Sequence, residues 1–232
     1  MSEAIILVGG LGTRLREAVP NLPKPMAPVD GKPFLEYLLN KLALAKFKRV
    51  ILSTGHQAGA IESYFGSKFL NIDLVYSREQ SPLGTGGAIR LAMEQVYEDH
   101  VYVMNGDTFS GVDLLKLEEF WTIVKSPILV GKHVSDIARY GGIQVSENSL
   151  IGFSEKGNLG SGIINVGTYV LPSGHLKHFS INQNFSFEND FLAIPENYSQ
   201  FKVFLDQGLF IDIGIPSDYY RAQKVMRGLC FK

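Results

Sequence analysis

The chain has 232 residues, of which 45% are hydrophobic, and its 22 Lys and Arg against 23 Asp and Glu leave a formal net charge of −1. That supports a sizeable core in one domain, 1–232, and gives no general attraction for nucleic acid or an anionic membrane, so any phosphate must be met by a local group of cations. The single cysteine, Cys230, excludes an internal disulfide and a cysteine zinc site. With no basic leader and no bilayer-length apolar run, a cytoplasmic location is expected.

The apolar run 4–8 predicts a buried strand emptying into Gly9-Gly10-Leu11-Gly12-Thr13-Arg14. Glycines there let backbone N–H groups approach a phosphate at the carboxyl edge of a sheet. Arg14 adds a planar fork of donors, and Lys24, held between Pro23 and Pro25, adds a point charge on stiff backbone. These features point to a nucleoside triphosphate. The Walker pattern is absent, and Leu15 stands where the dinucleotide fingerprint needs a third glycine.

Strand-like runs at 49–54, 73–77 and 101–104 alternate with helix-spaced segments at 34–46, 57–65 and 84–97. That rhythm predicts an α/β fold: a Rossmann-like, mostly parallel mixed sheet with helices on both faces and ligands beyond the carboxyl ends of its strands. Gly9 to Arg14 and Asn105 to Asp107 fall at such ends and are expected to face one crevice.

A second glycine loop, Gln80-Ser81-Pro82-Leu83-Gly84-Thr85-Gly86-Gly87-Ala88, opens the helix at 84–97, whose N-terminal dipole favours a negative or polar ligand edge. Asp107 follows an apolar strand, a place where a lone Asp often only forms a turn. Asp212 lies inside the apolar run 210–215 and therefore requires a cation or hydrogen-bond donors. If the two carboxylates converge, they form an oxygen site suited to Mg²⁺.

From residue 127 the texture changes. Runs at 128–130, 142–145 and 162–171 predict a small β-rich lobe over 127–171, with helices near 172–180, 187–193 and 217–227. His175 and His178 would share a face of the first of these helices, but no third ligand accompanies them. No nucleophile elbow or activated cysteine pattern is present, so covalent catalysis has no candidate.

Gly-Gly-x-Gly-Thr-Arg-Leu at 9–15, Pro23-Lys24-Pro25 and Pro28-Val29-Asp30-Gly31-Lys32-Pro33 stand in order and at the spacing of one family. They resemble the sugar-1-phosphate nucleotidyltransferases, which join a nucleoside triphosphate to a sugar 1-phosphate. The resemblance covers nearly the whole chain and is strongest to short guanylyltransferases that act on D-glycero-α-D-manno-heptose 1-phosphate. It implies GTP and that sugar phosphate as partners, Mg²⁺ as cofactor, and GDP-heptose for capsule or surface-layer glycans as product.

By the same resemblance, Leu7, Gly9, Gly10, Gly12 and Thr13 of the first loop, Gln80, Gly84, Thr85 and Gly86 of the second, and Asp107 bind the nucleotide, with Gln80 near the base. Asp107 and Asp212 hold the metal, although Phe210 replaces a usual Trp and Ile215 a usual Thr. Phe153-Ser154-Glu155-Lys156 resembles a Phe-x-Glu-Lys motif in which Glu155 meets sugar hydroxyls and Lys156 the sugar phosphate; Gly157 replaces the usual Pro. Gly142, Asn165 and Glu188 fall on the sugar side. The catalytic cations are then Arg14 on pyrophosphate, Lys24 on the nucleotide phosphates and Lys156.

The nucleotide half is expected over 1–126 and the sugar-phosphate half over 127–232, without the repetitive β-helix of larger relatives. Purine recognition does not follow from Gln80 and a glycine loop. Mannose 1-phosphate with GTP, other sugar or choline phosphates, and a catalytically inactive sugar-nucleotide sensor stay open, as does a homo-oligomer. No nucleic acid or membrane partner is expected.

Overall fold

Alternation along the strands sorts the apolar residues into two cores on opposite faces of one sheet. The computed structural model describes residues 3–10, 15, 18–20, 22–154 and 157–229. Its first half runs β1 (Glu3–Leu7), a 3₁₀ turn (Lys24–Met26), β2 (Pro28–Val29), β3 (Lys32–Pro33), α1 (Phe34–Leu44), β4 (Arg49–Thr54), α2 (Ala58–Phe65), β5 (Lys68–Phe69), β6 (Ile72–Arg78), α3 (Gly84–Met93), β7 (His100–Asn105), β8 (Thr108–Ser110) and α4 (Leu114–Val124). The second half adds β9 (Ile128–Val134), β10 (Gly142–Ser146), β11 (Ser149–Ser154), β12 (Gly162–Pro172), a π-helical turn (Phe187–Leu192), α5 (Pro195–Tyr198), β13 (Lys202–Asp206), β14 (Phe210–Asp212) and α6 (Pro216–Val225).

Ten strands form one mixed sheet in the order β10-β11-β13-β9-β12-β7-β1-β4-β6-β5. β7, β1, β4 and β6 are parallel neighbours. β12 runs antiparallel to both β7 and β9, so the strands of the second half extend the same sheet. Successive strand residues point to opposite faces. Ala4 and Ile6 pack with Leu38 of α1, Ile61 of α2, Leu117 of α4 and Ala222 of α6. Ile5 packs on the other face with Ile89 of α3 and Phe187 and Phe191 of the π-helical turn. No helix among the described residues is long and apolar enough to cross a membrane.

Local signals set most boundaries. Pro216 occupies the first turn of α6, where its missing N–H costs nothing. α4 is absent from the helices expected from sequence, yet Asp113 caps it by accepting the Leu115 and Lys116 N–H groups at 3.0 and 3.2 Å. The helix expected over 172–180 is not formed. His175, Lys177 and Phe179 N–H groups each bond three residues back, giving consecutive turns. Tertiary packing overrides the local pattern: Phe179 stacks on Phe185 at 4.1 Å, and His175 is pressed edge-on against Phe191 and Phe201. Burial lowers the His175 pKa to about 4.

Candidate active site

Beyond the carboxyl ends of β1, β4 and β6 lies a cavity of about 480 Å³, lined by Leu7, Gly9, Gly10, Ser53, Gly55, His56, Glu79, Gln80 and the start of α3. Gly84 and Thr85 face it. Gly84 has φ +68°, and an added Cβ would lie 2.5 Å from the Phe185 carbonyl oxygen, so only glycine fits. Gly86 does not line the cavity. Its N–H and that of Gly87 donate to Phe185 O at 2.9 and 3.3 Å, so the start of α3 is already capped by a carbonyl. At Gly86 any side chain would collide with the Phe185 ring, so glycine is required there for packing.

The next compartment joins the two sequence motifs. Gly10, Lys24, Thr85, Asn105 and Asp107 line one cavity of about 180 Å³. Lys24, Asn105 and Asp107 also line its neighbour of about 170 Å³, together with Tyr140, Asn165, Asp212 and Gly214. Lys24 Nζ donates to Asp107 Oδ2, and Thr108 Oγ1 donates to Asp107 Oδ1 at 3.0 Å.

Asp107 and Asp212 are brought together by strand pairing. β8 and β14 are antiparallel with Thr108 opposite Asp212, and Ile213 N–H donates to Asp107 O at 2.9 Å. Asp212 Oδ1 accepts the Gly214 N–H at 2.6 Å and Oδ2 accepts from Arg139 at 2.8 Å. The Gly214 N–H from the same run and Arg139 from a distant loop thus supply the donor and the cation that its burial demands. Burial, and next the Asp107 charge, raise the Asp212 pKa, while Lys24 and Arg139 oppose the rise. Arg139 is itself held by Asp218 and lies over the Tyr140 ring at 4.8 Å.

Two neighbouring carboxylates whose charges oppose each other form a hard oxygen donor set, and this fits Mg²⁺. No third His, Cys, Asp or Glu joins them as a ligand cluster among the described residues. That leaves the other coordination positions to phosphate oxygens and water, the usual Mg²⁺ arrangement at a nucleotide.

On the far side is a larger cavity, about 890 Å³, lined by Asn105, Gly142, Phe153, Ser154, Asn165, Tyr169, Glu188 and Tyr198 among others. Asn165 Nδ2 donates to Tyr169 Oη at 2.8 Å, and Tyr169 donates to Glu188 Oε1 at 3.3 Å. Asn165 Oδ1 accepts the Gly167 N–H at 2.9 Å. Burial holds the Tyr169 hydroxyl well above its ordinary pKa, so it is a neutral donor. Asp190 serves the turn, accepting the Ser186 N–H at 2.7 Å.

Of the residues expected from sequence, Leu7, Gly9, Gly10, Lys24, Gln80, Gly84, Thr85, Asp107, Gly142, Asn165, Glu188 and Asp212 line this run of cavities. Gly12, Thr13, Arg14, Glu155 and Lys156 lie outside the described residues. Glu79 and Arg139 are not among those expected from sequence. Glu79 carried a signal, because it stands beside Gln80 at a strand end. Arg139, just before Tyr140-Gly141-Gly142, needed the fold to bring it to Asp212.

A nucleotidyl transferase family model matches residues 3–227. The D-glycero-alpha-D-manno-heptose 1-phosphate guanylyltransferase of Aneurinibacillus thermoaerophilus is 45% identical over 226 residues, covering 97% of this chain and 98% of that protein. The protein of the same description from Campylobacter jejuni subsp. jejuni serotype O:2 is 44% identical over 224 residues, covering 94% and 97%. The crystal structure of HddC from Yersinia pseudotuberculosis complexed with GMP-PN superposes with a TM-score of 0.85 at 39% identity, covering 96% of this chain and 98% of that one. With a family match over nearly its full length and relatives above 40% identity, this chain belongs to the nucleotidyl transferase family.

Proposed function

We propose that the protein transfers a guanylyl group from GTP to D-glycero-α-D-manno-heptose 1-phosphate, giving GDP-heptose and pyrophosphate for capsule or surface-layer glycan synthesis in the cytoplasm. One observation carries this reading. A nucleoside-sized cavity and a larger cavity are joined through two small compartments, both lined by Lys24 and Asp107 and the second also by Asp212, so two phosphorylated reactants can abut there. The names of the full-length relatives support the choice of base and sugar. In this reading residues 1–126 hold the nucleotide and 127–232 the sugar phosphate, within one domain.

The sugar phosphate oxygen attacks the α-phosphorus, and pyrophosphate leaves in line. The attacking phosphate is already an anion near neutral pH, so no side chain need act as general base. The difficulty is the approach of one anion to another, and at close range in a partly dry crevice that repulsion costs several kcal/mol. Lys24 stands at the junction to offset it. Arg14 is assigned to the leaving pyrophosphate and Lys156 to the incoming sugar phosphate. Asp107 and Asp212 would hold Mg²⁺, which when bound supplies positive charge to the phosphates. Gly9, Gly10, Gly12 and Thr13 cradle the phosphates, Gln80 and Gly84 flank the base, and Gly142, Glu155, Asn165 and Glu188 serve the sugar.

The test is kcat/KM by pyrophosphate release, with four nucleoside triphosphates against heptose, mannose and glucose 1-phosphates. GTP with the manno-configured heptose should rank first and mannose 1-phosphate second. A preference for mannose 1-phosphate moves the assignment to that sugar. A preference for glucose 1-phosphate or a pyrimidine triphosphate removes the heptose guanylyltransferase reading, and absence of turnover favours a sugar-nucleotide sensor.

A further inference from the structure

Arg139 lies on the loop between β9 and β10 and ties that loop to distant parts of the chain. Its guanidinium donates to Asp212 Oδ2 at 2.8 Å and pairs with Asp218 in the first turn of α6. A planar fork of donors suits two carboxylates at once, so the loop is fixed at this residue both to β14 and to α6. The next residue, Tyr140, lines the compartment of Lys24 and Asp212 as well as the cavity of about 890 Å³.

The same loop is fixed on its other side. Gly157 N–H donates to Ala138 O at 2.9 Å, and Ile137 N–H donates to Gly160 O at 3.0 Å. Backbone bonds thus hold 137–138 against 157–160 immediately before Arg139. The first of these bonds requires glycine. Gly157 has φ +97°, whereas proline is locked at about −65° and has no N–H to give. The Phe-x-Glu-Lys motif that 153–156 resembles is usually followed by that proline, so Gly157 exchanges a stiff residue for an anchored one. Gly157 directly follows Lys156, which is assigned above to the sugar phosphate.

We infer that Arg139 is a positioning residue for the sugar phosphate: through the Ala138–Gly157 bond it moors the segment that follows Lys156 to the Asp212 carboxylate. The inference rests on the reaction proposed above and adds a physical link between its metal carboxylate and its sugar-phosphate loop. A segment moored in advance need not be ordered by the arriving reactant, and that ordering otherwise costs affinity. None of residues 137–160 lines the cavity of about 480 Å³, so the link acts on one reactant and spares the other.

The test is direct binding without turnover, using the non-cleavable α,β-methylene analogue of GTP and then D-glycero-α-D-manno-heptose 1-phosphate added to that complex. The proteins compared are the unaltered chain, Gly157→Pro, Arg139→Met and the double variant, with thermal unfolding measured alongside. In Arg139→Met, Asp218 keeps Arg221 at 3.5 Å and Asp212 keeps the Gly214 N–H, so the variant should fold. Each single variant should bind the sugar phosphate at least about tenfold more weakly, as when a residue or two must be ordered again, with affinity for the GTP analogue within about twofold. The double variant should bind no more weakly than the poorer single one, because both changes cut one link. Arg139→Lys keeps the charge without the fork and should fall between. Losses that multiply in the double variant would overturn the inference. So would an unchanged sugar-phosphate affinity in either single variant, or an equal loss for both ligands, which is what a purely structural arginine would produce. If the unaltered protein binds no sugar 1-phosphate, the transferase reading itself fails and the link fails with it.

Discussion

Thr85 and Glu188, 103 positions apart, are joined by a hydrogen bond of 2.6 Å from the threonine hydroxyl to Glu188 Oε2. Thr85 lines the cavity of about 480 Å³ and the Lys24 compartment, whereas Glu188 lines the cavity of about 890 Å³. The threonine oxygen also accepts the Phe187 N–H at 2.8 Å. Tyr169 and Asn165 continue the chain from Glu188 Oε1. One polar network therefore spans the two halves of the crevice, in surroundings where an unpaired member is costly.

Thr85→Val is expected to leave Glu188 and the Phe187 N–H short of partners, lowering stability by about 1–3 kcal/mol in denaturant unfolding. It should also lower kcat/KM for the sugar phosphate, although Thr85 does not line the cavity proposed for the sugar. Combined with Tyr169→Phe, the two losses should be non-additive by at least about 0.5 kcal/mol. Strict additivity would mean that no network couples the halves.

Asp107→Asn and Asp212→Asn keep shape and remove one charge each from the oxygen site. Turnover should fall at least about 100-fold in either variant, with the deficit growing as Mg²⁺ becomes limiting. Near-normal rates for both at low Mg²⁺ would show that these carboxylates do not hold the ion.

Gly214→Ala places a methyl group 2.7 Å from Asp212 Oδ1 and 3.3 Å from Lys24 Nζ. The carboxylate must move, and displacement by a fraction of an ångström misaligns reacting groups. Turnover should drop at least about tenfold with little change in unfolding midpoint. A large loss of stability with the kinetics of the remaining folded protein intact would contradict this.

Lys41 is half-buried, donates to Ser110 O, and has its pKa lowered to about 7 by desolvation, which Asp206 and Asp113 only partly offset. Between that value and its ordinary 10.5, the unfolded chain binds the proton that the folded chain has released. Stability should therefore rise with pH from about 7 toward 10, by at most about 1.4 kcal/mol per pH unit. Above that window, the raised pKa values of buried Tyr102 and Tyr169 reverse the trend, because the unfolded chain loses phenol protons first. Unfolding free energies measured at several pH values should show the rise, and Lys41→Met should flatten it.

What could be read without the fold was local. The apolar run of β1, the glycines that follow it, and Lys24 between prolines are all governed by contacts within a few residues, and each stands where expected. Asp113 was equally local, a cap that marked α4 for a closer reading of 113–124. The failure at 172–180 is the opposite case, because helical spacing there yielded to aromatic packing with residues 185 to 201.

The site was legible as a set of residue types and motifs, and only the tertiary structure decided its geometry. Asp107 and Asp212 meet because β8 pairs with β14 across about a hundred residues. Arg139 reaches Asp212, and Thr85 reaches Glu188, by the same kind of long-range closure. A register of that kind is selected by burying two whole core faces at once, so no short stretch of sequence contains it. Local chemistry chose the groups, and collective burial chose which of them would touch.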